Sequence, residues 1–308
     1  MFSDSAIKEL DLSNFDTSKV TTMQGMFRNT GSLKSIEFSE KFNALQVTDM
    51  LHMFSNSAVE ELDLSSFNTQ NLTNIDQMFR DCSSLTKIEF GDNFNTSKVT
   101  DMSNLFRGCT SLVSLDLSKF NTSQVTNMDN IFGDIAVESL NLENFDTRNV
   151  IKMAGMFRNT VNLKDITFGD NFDTSKVTDM SYMFYNSGVE SLDLSKFNTE
   201  SVTNMSLMFA RLNNINLLDL STFNLDKVDN MQHMFAMNII DIDGIIQEDS
   251  AALSKLLLVI AKDHKLKDYN IYYSLQTNQN LDLLPADKIL VETDSPSHEK
   301  QPRDIIQI

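Results

Sequence analysis

The sequence predicts an α/β solenoid, a stack of short strand–turn–helix units with a parallel sheet on one face and short helices on the other. Three observations predict it. A Phe recurs at Phe2, Phe27, Phe54, Phe79, Phe106, Phe132, Phe157, Phe184, Phe209 and Phe235, in steps of 25 to 27 residues. A second Phe precedes each of the last nine by twelve residues, from Phe15 to Phe223. Apolar residues alternate before that leading Phe and recur at helical spacing after it. Self-similarity at such a period is the signature of a repeat architecture.

The strand of each unit is the alternating segment. It reads Leu10-Asp11-Leu12, Leu62-Asp63-Leu64, Leu115-Asp116-Leu117 and Leu192-Asp193-Leu194. Ile36/Phe38, Ile88/Phe90 and Ile166/Phe168 replace the leucines in three units, which carry one extra residue before the next Phe. Period two places two side chains inward and one outward. The helix is expected in the block between the two Phe columns. Val99, Met102 and Leu105–Phe106, or Val177, Met180 and Met183–Phe184, would share one face of two helical turns. Thr21, Thr48, Thr73, Thr100, Thr126, Thr178 and Thr203 stand just after the Val, where an N-cap belongs. One such unit cannot bury its own apolar face, and stacking of neighbours does so. A strand–helix–strand crossover makes the coil right-handed.

Composition agrees with a stacking code. The 308 residues include 22 Phe and 17 Met but no Trp, only 9 Gly and only 3 Pro. All 22 Phe fall in three places: ten in the recurrent column, nine in the leading column and three in strands. The Met residues share a face with Phe and Val, which assigns them to the core rather than to an adaptable binding surface. Scarce glycine argues against nucleotide-binding α/β folds with Gly-rich phosphate loops. The net charge of −18 would repel a phosphate backbone and argues against nucleic-acid binding. No run of 18 apolar residues exists, so membrane insertion is not expected.

The array spans residues 1–243, as nine full units after a truncated first one, and residues 244–308 are expected to form a helical cap and a polar tail. Ile240-Asp241-Ile242 resembles one more strand, 250–265 a cap helix, and 270–275 and 288–291 strands, with 293–303 loose. Met1-Phe2 repeats the position of Met26-Phe27, so the chain begins in mid-repeat without a cap. That start, and the lack of a basic-then-apolar leader in MFSDSAIKEL, suggest a piece of a longer protein or a start assigned at an internal Met.

The outward position of the strand is the candidate binding stripe. Asp11, Glu37, Asp63, Glu89, Asp116, Asp193 and Asp219 are carboxylates there, with Asn141 and Thr167 completing the column. Like charges about 5 Å apart repel by roughly 0.8 kcal/mol per pair in water, which a design for stability alone would avoid. A basic partner would be complementary. Calcium would need more oxygen ligands and a suitable turn, and no DxDxDG loop occurs. Without a partner, the same column would simply keep the sheet face hydrated. A second polar column after the leading Phe (Asp16, Asn43, Asn68, Asn95, Asn121, Asp146, Asp173, Asn198, Asn224) has the composition of local turn formers.

Cys82 and Cys109 occupy equivalent positions in adjacent units, where Thr30, Ser57, Thr160 and Ser187 stand elsewhere. A small buried residue is wanted there. Free thiols suit that place, and adjacency also leaves a disulfide open. His52 and His233 sit off the apolar stripe and are expected to face solvent. No Ser/His/Asp set, HxH, HExxH or Gly-rich phosphate loop is present, so no catalysis, metal or cofactor is expected. Ile289–Pro296 (ILVETDSP) resembles a short stretch of TatD-type metal-dependent hydrolases, in which Asp294 would ligate metal. The paired histidines of that family are absent, and the match is read as coincidence.

The units LDLSKFNTSQVTNMDNIF and LDLSKFNTESVTNMSLMF resemble those of the BspA-like leucine-rich-repeat surface proteins, over about residues 1–240. The resemblance implies a leucine-rich-repeat-like solenoid and a non-catalytic adhesion or protein-binding role at a cell surface. The partner would be a protein or extracellular-matrix ligand, engaged through the sheet face. An intracellular, cytoplasmic interaction scaffold of the same architecture is the alternative.

Overall fold

Residues 1–215, 218–220 and 222–234 are described by a computed structural model. The 243/244 domain boundary, the cap, the Ile240–Ile242 strand, Phe235 and the segment around Asp294 lie outside the described residues.

The alternating segments form six short strands: β1 (Glu9–Asp11), β2 (Ser35–Glu37), β3 (Glu61–Leu64), β4 (Lys87–Phe90), β5 (Ser139–Leu142) and β6 (Asp165–Phe168). They pair in parallel as β1–β2, β3–β4 and β5–β6. Register follows the repeat, with Leu10 opposite Ile36, Leu62 opposite Ile88 and Leu140 opposite Ile166. In each pair a Leu-x-Leu strand meets an Ile-x-Phe strand. A second parallel ladder runs unbroken through Thr22, Asp49, Asn74, Asp101, Asn127, Lys152, Asp179, Asn204 and Asn230.

The Phe residues stack between the ladders. Successive rings from Phe2 to Phe209 lie 5.2–6.2 Å apart and within 16° of parallel. Each buried Phe contributes roughly 1.5–3 kcal/mol by leaving water. The leading Phe column is tilted, and the strand Phe of each Ile-x-Phe unit enters it edge-on. Phe90 sits 4.6 Å from Phe94 and, at 88°, 5.1 Å from Phe120. The extra residue of those units therefore accompanies a third ring in the stack.

The expected helices are absent among the described residues. The block folds instead as two consecutive β-turns. Met53 N–H donates to Met50 O at 3.0 Å, and Ser57 N–H donates to Phe54 O at 2.9 Å. The third residue of each turn is left-handed, at φ 56° for His52 and 58° for Asn56. Two turns of this kind return every third or fourth side chain to the core, so they imitate a helical pattern. Spacing explains the choice. A helix with side chains is about 10–12 Å across, whereas the ladders and ring stacks hold the coils about half that distance apart. Alternate N–H groups also leave the coil: Met23, Gly25, Phe27 and Asn29 donate to Asp49, Leu51, Met53 and Ser55 of the next one at 2.8–2.9 Å. A helix would use those donors internally.

The Thr residues assigned as N-caps instead stand one position before the ladder residues and bond from coil to coil. Thr73 Oγ1 donates to Thr48 O at 2.9 Å, and Thr126 Oγ1 to Thr100 O at 3.2 Å. The Asx column does form turns, as the sequence predicts. Every member from Asp16 to Asn224 accepts the N–H two residues on, at 2.7–3.3 Å. The Asx residues of the bridge ladder do the same, from Asp49, which accepts Leu51 N–H at 2.9 Å, to Asn230, and at Lys152 the carboxylate of Asp129 in the preceding coil accepts Ala154 N–H instead, at 2.8 Å. Short Asx side chains thus close corners that many folds give to Gly or Pro.

Candidate functional site

Four of the predicted carboxylates lie on strands, Asp11 and Glu37 at the last residue of β1 and β2 and Asp63 and Glu89 within β3 and β4. Asp11, Glu37, Asp63, Glu89, Asp116, Asp193 and Asp219 are all exposed. Only two pairs are direct neighbours in register, Asp11 with Glu37 and Asp63 with Glu89. Asp116, Asp193 and Asp219 lie outside any strand. The stripe is therefore a set of pairs and single acids, not a continuous ladder.

The aspartates have a local task that their spacing in the sequence does not reveal. Asp11, Asp63, Asp116 and Asp193 each accept the N–H of the Ser two residues on, at 2.8–2.9 Å. Asn141 makes the same bond to Glu143 N–H at 2.9 Å. Hydrogen bonds from Ser13 and Ser195, side chain first and then backbone, hold the carboxyls of Asp11 and Asp193 below the usual range. The backbone N–H of Ser118, then its hydroxyl, does so for Asp116. Glutamate appears only in the Ile-x-Phe units, whose chain runs on for one more residue before turning. Glu89 instead pairs with Lys87.

One concavity of this face is lined by residues of β2, β3 and β4. β2 and β3 are neighbours along the stack but do not pair. The concavity, of about 740 Å³, is walled by Lys34, Glu60, Glu61, Asp63, Lys87 and Glu89 over Ile36 and Leu62, where Glu60 N–H still donates to Lys34 O at 3.1 Å. Lys34 and Glu60 form an ion pair at 2.9 Å across it. Sequence reasoning named Asp63 and Glu89 but missed Lys34, Glu60, Glu61 and Lys87. The available signal was the charged positions two and three residues before the acidic column.

The remaining candidates are settled by burial. Cys82 and Cys109 are free thiols, both fully buried. Cys82 Sγ donates to Phe54 O at 3.0 Å and Cys109 Sγ to Phe79 O at 3.2 Å. Burial pushes the Cys82 thiol up to about 12 and that of Cys109 well above its ordinary value. Thr30 fills the equivalent place with a hydroxyl on Phe27 O at 2.7 Å. His233 is exposed, as expected, but His52 is half-buried with Nδ1 enclosed and unpartnered. Burial, followed by the nearby Arg28 guanidinium, lowers its pKa. Among the described residues, no group of three or more His, Cys, Asp or Glu side chains is placed to hold a metal ion.

The repeat has relatives. The family described as "Mycoplasma protein of unknown function, DUF285" matches residues 1–90, 86–169 and 161–242. The chain belongs to this family. Its three matches tile the solenoid end to end, so each DUF285 match spans several coils rather than a separate domain. The DUF285 chain is also similar to a leucine-rich repeat protein from Bacteroides ovatus, at 14% identity over 77% of each chain with a TM-score of 0.24. No curated protein matches it.

Proposed function

We propose that this chain is a non-catalytic binding module of a BspA-like cell-surface protein, engaging a protein or extracellular-matrix ligand through its strand face. The supporting observation is the concavity lined by β2, β3 and β4. Its walls carry four carboxylates and two lysines over an apolar floor. Its backbone is held by strand pairing in β1–β2 and β3–β4, so a partner would meet it without backbone rearrangement. The exposed Lys and Glu side chains would be ordered on binding. The excess of acid favours a partner surface with basic residues, steered by charge and weakened by salt.

Biolayer interferometry of the purified chain against fibronectin, laminin, collagen and fibrinogen tests the reading. A salt-sensitive interaction that weakens about tenfold in the Glu61→Lys/Glu89→Lys variant is expected. Binding that this charge reversal leaves untouched would place the interface elsewhere.

A further inference from the structure

The double turns carry a cluster that shares no residue with the strand groove. Arg28, Arg80, Arg107 and Arg158 each follow a column Phe directly, and Arg211 follows Phe209 by two. Arg80 Nε lies 3.1 Å from Asp81, and its Nη1 donates to Gln77 at 2.6 Å. Arg107 Nε lies 3.6 Å from Asp134.

Arg158 differs. Asn159 stands beside it where Asp81 stands beside Arg80. That amide is engaged elsewhere, donating to Asp134 at 2.8 Å and accepting from Asn186 at 3.1 Å. Arg158 is half-buried, its Nε is enclosed as that of Arg80 is, and no carboxylate among the described residues pairs with it. Its guanidinium instead lies over two aromatic rings, 5.4 Å from the centroid of Tyr182 and 5.9 Å from that of Tyr185. Arg211 also lies over Tyr185, at 5.7 Å.

Tyr182 is costly where it stands. Its φ is 58° and its side chain is 36% exposed. A bulky residue in the left-handed region is a genuine outlier. Gly25, Asn104, Asn130 and Gly155 accept that backbone more readily at equivalent places, whereas His52, Gln77, Leu207 and His233 share it with Tyr182. What sets Tyr182 apart is its contact, an exposed ring against a guanidinium that no described carboxylate pairs with.

We propose that Arg158, Tyr182, Tyr185 and Arg211 form a second docking surface, for a short acidic segment of a protein partner. The ring stack would hold the Arg158 fork ready for bidentate contact with a carboxylate. The tyrosines supply rigid apolar area of the kind that anchors protein interfaces. A long polyanion would meet the overall charge of −18, whereas a short acidic segment meets chiefly the local arginines.

The test is fluorescence anisotropy with a fluorescein-labelled octapeptide of alternating glutamate and leucine, read beside thermal melting of each full-length variant. The wild type binds in a salt-sensitive manner, and both Arg158→Gln and Arg158→Lys weaken binding about tenfold. Tyr182→Gly also weakens binding while raising the melting temperature by about 2–4 °C, because strain is relieved as the ring is lost. No binding by the wild type, or unchanged binding by Arg158→Gln, overturns the proposal. A lower melting temperature for Tyr182→Gly overturns it too, since the ring would then be a structural prop. Displacement of the peptide by millimolar inorganic phosphate would mark a general oxyanion site and equally overturn it.

Discussion

Thr122 Oγ1 donates to the carbonyl of Asp146 at 3.0 Å and accepts the N–H of the same residue at 2.8 Å. One buried hydroxyl thus satisfies both backbone groups of a residue in the next coil. Thr17 does the same for Asn43, Thr69 for Asn95, Thr96 for Asn121, Thr147 for Asp173, Thr174 for Asn198 and Thr199 for Asn224. The column staples each coil to its successor beneath the leading Phe.

Replacing Thr122 by Val keeps the shape and removes the staple. Two backbone groups would lose their partner, at about 1–3 kcal/mol each if water cannot reach them. Thr122→Ser retains the hydroxyl and should lose less. Urea unfolding of the two variants beside the wild type separates them, and equal stability of Thr122→Val would refute the stapling role.

The column lacks Thr at two described places, Ala44 and Leu225. Ala44 stands in the Thr place and is fully buried. Asn68, its counterpart in the next coil, therefore lacks the paired bonds that the other coils carry. Ala44→Thr should raise stability by about 1 kcal/mol, the net value of an ordinary intramolecular hydrogen bond. Urea denaturation would reveal this as a higher midpoint at unchanged slope.

The two thiols predict both reactivity and a pH effect. Buried and protonated, Cys82 and Cys109 should react with a thiol reagent only after denaturation. Their folded pKa values exceed the unfolded one, and Cys82 is pushed up to about 12. The stability they contribute is complete below the unfolded value near 9, and it falls as pH rises from there toward 12. A Cys82→Ser/Cys109→Ser variant would place in both coils the residue that Ser57 already supplies to this column, and it should lose that alkaline decline. Unfolding midpoints measured across this range provide the check.

The aspartates of the outward column predict the acid limb. Hydrogen bonds from Ser13, Ser118 and Ser195 depress the folded pKa values of Asp11, Asp116 and Asp193. Their contribution is present above the unfolded value near 3.8 and is lost as pH falls through the folded values. Asp193→Asn should preserve the turn at neutral pH, because Asn141 makes the same bond to Glu143 N–H. Asp193→Leu should not. Circular dichroism melts near neutral pH and near pH 3 distinguish the two, and an Asn variant as unstable as the Leu variant would contradict the turn role.

Periodicity alone determined that this chain stacks, because the recurrence of Phe27, Phe54 and Phe79 once per unit of 25 to 27 residues brings identical rings into contact whatever lies between them. It also determined the inward and outward faces of the strands and the turn-forming role of Asp16 and its column, since period two and Asx chemistry are local. It did not distinguish a helix from two turns. Met50, Met53 and Phe54 recur at a spacing that both return to the core, and the deciding quantity is the distance between coils. The left-handed Asn56, Asp81 and Asn186 two residues after each Phe were the available clue to the turns. Only the tertiary structure showed that strand pairing joins the acidic column two by two, that residues of β2, β3 and β4 line one concavity, and that Arg158 rests on Tyr182 and Tyr185. Those relations join residues of different coils, and side-chain contact across coils depends on how each coil packs on the next rather than on the pattern within one.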